Sequence, residues 1–190
     1  MRAGRYDAIV MAASSGGIDA LRIVLGALDA RLRAPVLIVQ HTASENGHAL
    51  CELFAAASVI PVIEAEPRQP IVGGCAYLAP PGYHLLVEAG PRAALSVDDK
   101  VCHVRPSADV LFESAADVWR SALIGVVLTG ANDDGAAGML AIRSRKGLGI
   151  VQLPDEAEMR EMPEAALRLA GADHVLRLAA IGPLLNQLCG

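Results

Sequence analysis

The chain has 190 residues, 53% of them hydrophobic and 19% charged, with a formal net charge of −5. That is the length of one ordinary domain, able to bury a core without staples, and no apolar run reaches the ~18–20 residues of a membrane-spanning helix. Both charge signs are spread along the chain without a basic stripe, which argues against a nucleic-acid surface and against membrane insertion.

Strand-like and helix-like segments alternate. Residues 1–7 hold no apolar segment followed by a cleavage site, so no signal peptide is expected and the protein is placed in the cytoplasm. Cys51, Cys75, Cys102 and Cys189 are scattered, without CxxC spacing, and read as reduced thiols. Residues 6–12 form the first strand. Residues 17–28 form the first helix, with Ile18, Leu21, Ile23, Val24, Leu25 and Leu28 supplying an apolar face. Residues 35–40 are a second, doubly buried strand, 46–57 a helix and 59–63 a short strand. From Pro67 to Arg105 the chain is rich in Gly and Pro. Its short runs at 76–78, 83–88 and 92–97 read as a meander or hairpin that leaves the parallel pattern. A helix over 107–119 takes Ser107 as its N-cap. A buried strand (123–128), a helix (135–146), a strand (148–152), a helix (163–170) and a final helix (179–188) complete the chain. The pattern predicts an α/β fold: a three-layer, mostly parallel, doubly wound sheet with an inserted antiparallel hairpin and helices on both faces. No repeat or linker appears, so residues 1–190 are read as a single domain.

Three strand ends carry chemistry. Ala12-Ala13-Ser14-Ser15-Gly16-Gly17 lies between the first strand and the first helix. Small residues suit a nucleophile on a sharp strand-to-helix turn, which lifts the hydroxyl to the carboxyl edge of the sheet. The same turn aims the Ser15 and Gly16 amides at a developing oxyanion. A phosphate cradle is the blander reading. It fails because the GxGxxG spacing and the later acid of a dinucleotide site are missing, as is the lysine of a P-loop. His41 follows the second strand, so it reaches the same edge and serves as a general base if the two strands are neighbours. Otherwise it is a surface histidine at a strand end. Thr129-Gly130-Ala131-Asn132-Asp133-Asp134-Gly135 ends the strand over 123–128. Either acid could orient the imidazole, or cap the following helix.

Other polar residues read as structural. His48 lies in a helix, His84 in the meander and His174 before a strand-like segment. None has metal-ligand spacing, and no metal or cofactor is expected. Asp98-Asp99-Lys100 reads as a solvated turn, and Glu156, Glu158 and Glu161 as a solvated acidic turn. His103-Val104-Arg105-Pro106-Ser107 reads as a capped loop that could position substrate.

Together these pieces resemble the catalytic domain of CheB-type chemotaxis protein-glutamate methylesterases. The resemblance rests on Ala13-Ser14-Ser15-Gly16-Gly17, Gln40-His41, Ala76-Tyr77-Leu78-Ala79-Pro80 and Arg105-Pro106-Ser107-Ala108-Asp109. It rests also on Val127-Leu128-Thr129-Gly130, Asp134-Gly135-Ala136-Ala137-Gly138-Met139 and Met162-Pro163. It implies Ser14 as nucleophile, His41 as general base and Asp134 as the partner of the imidazole. The Ala131 amide joins those of Ser15 and Gly16 at the oxyanion. The implied substrates are methylated glutamates on the cytoplasmic helices of methyl-accepting chemoreceptors, with glutamine deamidation as a second activity. Where the family favours Gly, Thr, Met-Pro and Met-Gly, this chain has Ala12, Ser15, Thr42-Ala43 and Ala131-Asn132. Such enzymes usually carry an N-terminal receiver domain, whereas this chain begins at the catalytic part. A stand-alone esterase or amidase of the same fold, and a non-catalytic receptor-binding module, are the competing expectations. Oligomeric state is not legible.

Overall fold

Apolar runs rich in β-branched residues form the strands of a computed structural model that describes residues 6–42 and 47–190. In chain order the elements are β1 (Ala8–Ala13), α1 (Gly17–Gly26), β2 (Val36–Gln40), α2 (Gly47–Ala57), β3 (Val62–Glu64) and β4 (Ala76–Leu78). They continue with β5 (His84–Glu88), β6 (Arg92–Ser96), α3 (Ala108–Trp119), β7 (Leu123–Val127), α4 (Ala136–Ser144) and β8 (Leu148–Gln152). The last are α5 (Glu161–Leu169), β9 (His174–Leu176) and α6 (Leu178–Cys189).

Seven strands make one parallel sheet in the order β3-β4-β2-β1-β7-β8-β9. Every residue of β1, β2 and β7 is buried, because helices cover both faces. Side chains alternate between two cores. Ile9, Met11 and Ala13 of β1 face one core with Leu21 and Val24 of α1, Phe54 of α2 and Ile181 of α6. Ala8, Val10 and Ala12 face the other, with Leu111 and Phe112 of α3, Met139 of α4 and Ala166 of α5. The chain winds from β1 outward through β2, then returns to place β7 on β1's other side. The carboxyl ends of β2, β1 and β7 therefore flank the reversal of strand order, where open α/β sheets bind ligands.

The three-layer architecture holds as expected, with two corrections. Ala76–Leu78 does not belong to the antiparallel insert. It is a parallel strand wedged between β3 and β2, and all three of its residues are buried. Only β5 and β6 form the antiparallel pair, packed on α3. The strand expected at residues 59–63 forms instead at Val62–Glu64. Pro61 lacks a backbone donor, and its carbonyl accepts from Ala76 N at 2.8 Å, so pairing begins there. The ends of the other elements given bounds fall within two residues of expectation; β9, foreseen only as a strand-like segment after His174, begins at His174 and pairs with β8. The expected helix start at Asn46, and Ala43, lie outside the described residues.

Candidate active site

Ser14 leaves β1 with its amide bonded to Thr129 O at 2.9 Å. The turn that follows is held from below. Gln40 is 4% exposed, and its side-chain amide donates to Ser14 O at 2.9 Å and to His41 O at 2.7 Å. One side chain thus ties the nucleophile's loop to the histidine's loop. Thr129 adds a second tie: its hydroxyl donates to Ser15 O at 2.9 Å and accepts from Met159 N at 2.9 Å. Gly16 has φ +74°, a left-handed conformation, and a Cβ there would come within 2.7 Å of Glu158; glycine is required on both counts. Gly130 is likewise close, since a Cβ on it would meet Ser14 Cβ at 2.8 Å.

His41 and Asp134 come together as expected, His41 Nε2 lying 2.8 Å from Asp134 Oδ2. The acids are not equivalent: Asp134 is 1% exposed, whereas Asp133 is solvent-exposed. Asp134 also accepts from Ser107 Oγ at 2.6 Å, Ala108 N at 2.6 Å and Asp109 N at 3.0 Å. Burial by itself would raise the Asp134 pKa; hydrogen bonds from His41, Ser107 and the α3 amides outweigh it and hold the carboxyl below its ordinary value. A charged Asp134 accepts a hydrogen bond from the Nε2–H of His41, leaving Nδ1 as the basic nitrogen. Asn132 Nδ2 stands 3.5 Å from Nδ1, a long contact.

Two capping expectations are corrected. Ser107 occupies the N-cap position of α3, but its hydroxyl is spent on Asp134, and the Asp134 carboxylate takes the first α3 amides. Neither Asp133 nor Asp134 caps α4 with its side chain. Asp109 does so, accepting from Gly135 N at 2.9 Å and Gly138 N at 2.7 Å. The two helix starts therefore exchange caps: Asp109 of α3 accepts from the amides at the start of α4, and Asp134, just before α4, from those at the start of α3. Burial, together with the nearby Asp134 charge, raises Asp109 to about 6 against the lowering pull of its amide donors.

Ser14 and His41 line one open cavity of about 370 Å³, with Ser15, Gly16, Asp19 and Glu158 among its walls. Among the described residues the Ser14 hydroxyl makes no hydrogen bond to the ring, a looseness common before substrate binds. Ser15 N and Gly16 N have no acceptor among the described residues, so both are available to an oxyanion. Ala131 is exposed and does not wall this cavity. Glu158, expected in a solvated turn, is exposed yet forms part of the cavity wall.

The group of metal-donor type among the described residues is Cys102, Asp109 and Asp134. Its carboxylates are engaged by backbone amides, and Cys102, through burial and then the charges of Asp134, Asp109 and Asp133, is pushed up to about 12. The arrangement favours a protonated thiol and serves the helix ends. His84 is buried and accepts from Ser107 N at 3.1 Å while donating to Asp99 O at 3.0 Å. It thereby braces the loop that holds Asp134. Sequence reasoning did not find Gln40, Thr129 or Ser107 as site residues; the only signal was their position beside Ser14, His41 and the start of α3.

The chain matches the family model described as CheB methylesterase over residues 9–185. It is 40% identical over 183 residues to a putative protein-glutamate methylesterase/protein-glutamine glutaminase of Leptospira interrogans, covering 96% of this chain and 95% of the relative. A protein-glutamate methylesterase/protein-glutamine glutaminase of Caulobacter vibrioides is 38% identical; the match covers 95% of this chain but 53% of that longer protein. Among solved structures, the catalytic domain of Thermotoga maritima CheB methylesterase superposes with a TM-score of 0.93 at 29% identity, covering 96% of this chain and 98% of that one.

Proposed function

This chain belongs to the CheB methylesterase family, and from that premise we propose that Ser14, His41 and Asp134 hydrolyse glutamate methyl esters on chemoreceptor proteins. The observation that carries the assignment of roles is the 2.8 Å contact between His41 and a buried Asp134, made at the wall of the cavity that Ser14 lines. His41 Nδ1 takes the Ser14 proton as Oγ attacks the ester carbonyl. The negative oxygen that develops is met by the Ser15 and Gly16 amides; Ala131, which does not wall the cavity, is left out of this role. Imidazolium, stabilised by Asp134, returns the proton to the leaving methanol. Water then attacks the glutamyl-Ser14 acyl-enzyme with His41 again as base, releasing the carboxylate. With glutamine in place of the ester, ammonia leaves by the same path, giving the deamidase activity that the relatives' names include.

Residues 1–190 act as one catalytic unit in this reading. The partner is a methylated helix of a chemoreceptor's cytoplasmic part, so the enzyme works in the cytoplasm. No helix among the described residues is long and apolar enough to cross a membrane. The test is methanol release from membranes carrying methylated chemoreceptors. Ser14→Ala is expected to lose at least about a thousandfold in rate. Release that continues at the wild-type rate in Ser14→Ala removes Ser14 from the chemistry.

A further inference from the structure

His41 walls a second cavity, of about 150 Å³, whose lining is otherwise distinct from that of the Ser14 cavity. Lys100, His103 and Arg105 line it, and among the described residues no carboxylate does. Arg105 Nη1 donates to Val97 O at 2.7 Å and to Asp98 O at 2.9 Å, while its Nε is buried without a partner. Among the described residues neither Arg105 nor Lys100 makes an ion pair. Among the described residues Asp109 and Asp134 bind helix amides, the Cys102 thiol donates to Asp109 Oδ2 at 3.8 Å, and Asp98 and Asp99 are exposed to solvent.

The turn that presents His103 is set by the backbone. Val101 and Val104 exchange hydrogen bonds at 3.2 and 2.9 Å, closing a two-residue turn in which Cys102 and His103 have φ of 48° and 64°. Left-handed conformations are unfavourable for residues of this kind and persist where the surroundings enforce them. Here they hold a nitrogen-bearing ring beside two unpaired cations. A guanidinium without an ion-pair partner among the described residues, in a partly enclosed site, is favourable toward an incoming anion.

We propose that this cavity is a subsite for a carboxylate of the substrate protein, borne by an acidic side chain about one helical turn from the ester. This rests on the esterase reading above. On a helix, residues three or four apart stand ~5–6 Å from one another on one face. His41 walls both cavities, so an ester held in one and a carboxylate held in the other both stand beside the same ring. Asp19 and Glu158 line the Ser14 cavity and repel a carboxylate placed there. The two cavities together set the direction in which an acidic helix lies across the site.

The test uses the Ser14→Ala protein, so that ester is bound but not cleaved. Two helical peptides carry one glutamate methyl ester each; one has Glu four residues away, the other Gln at that place. Calorimetry at low salt is expected to give the Glu peptide ~10-fold tighter binding, the size of one hydrogen-bonded charge pair. The preference is expected to disappear when Lys100→Glu is added, a change at an exposed position, and to shrink in Arg105→Gln and at high salt. Equal affinities, binding of neither peptide, or a preference that survives Lys100→Glu overturns the subsite. Methanol release from the Gln peptide by the unaltered protein reports separately on the esterase reading. A failure there, with the binding preference intact, would sink that reading and leave the anion subsite standing.

Discussion

A carboxylate as buried as Asp134 keeps its charge only because its donors are already in place. His41, Ser107 and the amides of Ala108 and Asp109 all point at it. Asp134→Asn supplies an amide that cannot accept from all of them and favours the wrong imidazole tautomer. A fall in kcat of about 10⁴ is expected, against less than about threefold for the exposed Asp133→Asn; steady-state kinetics on one ester substrate separates the two. Near-equal losses would remove Asp134 from its role. Ser107→Ala deletes one bond to a charged group, so a loss of about 1.5–3 kcal/mol in stability is expected, readable by urea unfolding, with a several-fold drop in kcat. The sign of the pH effect at Asp134 follows from its lowered pKa. Its stabilisation is complete above the ordinary value of 3.8 and is lost as pH falls through the still lower folded value. Acid unfolding monitored by circular dichroism should therefore show this contribution leaving only below about pH 4.

Among the elements, α3 and α4 form a unit because the start of each holds the other's N-terminal cap. Asp109 behaves opposite to Asp134. Its folded pKa of about 6 lies above the ordinary 3.8, so the folded state holds a proton that the unfolded chain has released. Its contribution to stability therefore declines as pH rises through that window. Asp109→Asn keeps an acceptor oxygen for Gly135 and Gly138 but cannot ionise. Its unfolding free energy is expected to lack the decline between pH 4 and pH 6 that the unaltered protein shows. Identical slopes in denaturant titrations across that range would contradict this account. This cap exchange was not legible in the sequence. Capping signals are looked for within a few residues of one helix, as with Ser107, whereas these bonds join positions 25 or more apart. β4 was misread for a related reason: three residues between Gly- and Pro-rich turns are too short to reveal whether a strand pairs parallel or turns back. Gln40 shows a third limit. It was visible as a polar end to a buried strand, but its grip on the Ser14 and His41 carbonyls depends on two loops meeting in space. Gln40→Ala should leave the sheet intact and lower kcat more than it alters KM, since it sets the distance between nucleophile and base rather than the cavity.

For the molecule as a whole, what the sequence did reveal follows from the sheet. Long, wholly buried strands alternating with amphipathic helices announce a parallel doubly wound fold. In such a fold the residues just past the strand ends share one edge, so Ser14, His41 and an acid after β7 could be assembled without coordinates. The adjacency of β2, β1 and β7 supplies the condition that reading needed. Spacing alone leaves Asp133 and Asp134 open; the family resemblance points to Asp134, and its burial supplies the physical reason. The likeness to solved and curated relatives extends over nearly the whole chain, so the departures beside the site, Thr42 and Ala131-Asn132, leave the framework in place. Asn132 stands near His41 Nδ1, and Thr42 and the cationic loop over 100–105 line the second cavity that His41 walls.

The central claim is that one serine, activated by His41, is the nucleophile. Labelling with a serine-directed fluorophosphonate followed by peptide mass spectrometry tests it most directly. One adduct on Ser14 is expected, lost in Ser14→Ala and slowed at least about a hundredfold in His41→Ala. An adduct on Ser15 or Ser107 instead, or labelling of Ser14 at an unchanged rate without His41, would contradict the triad.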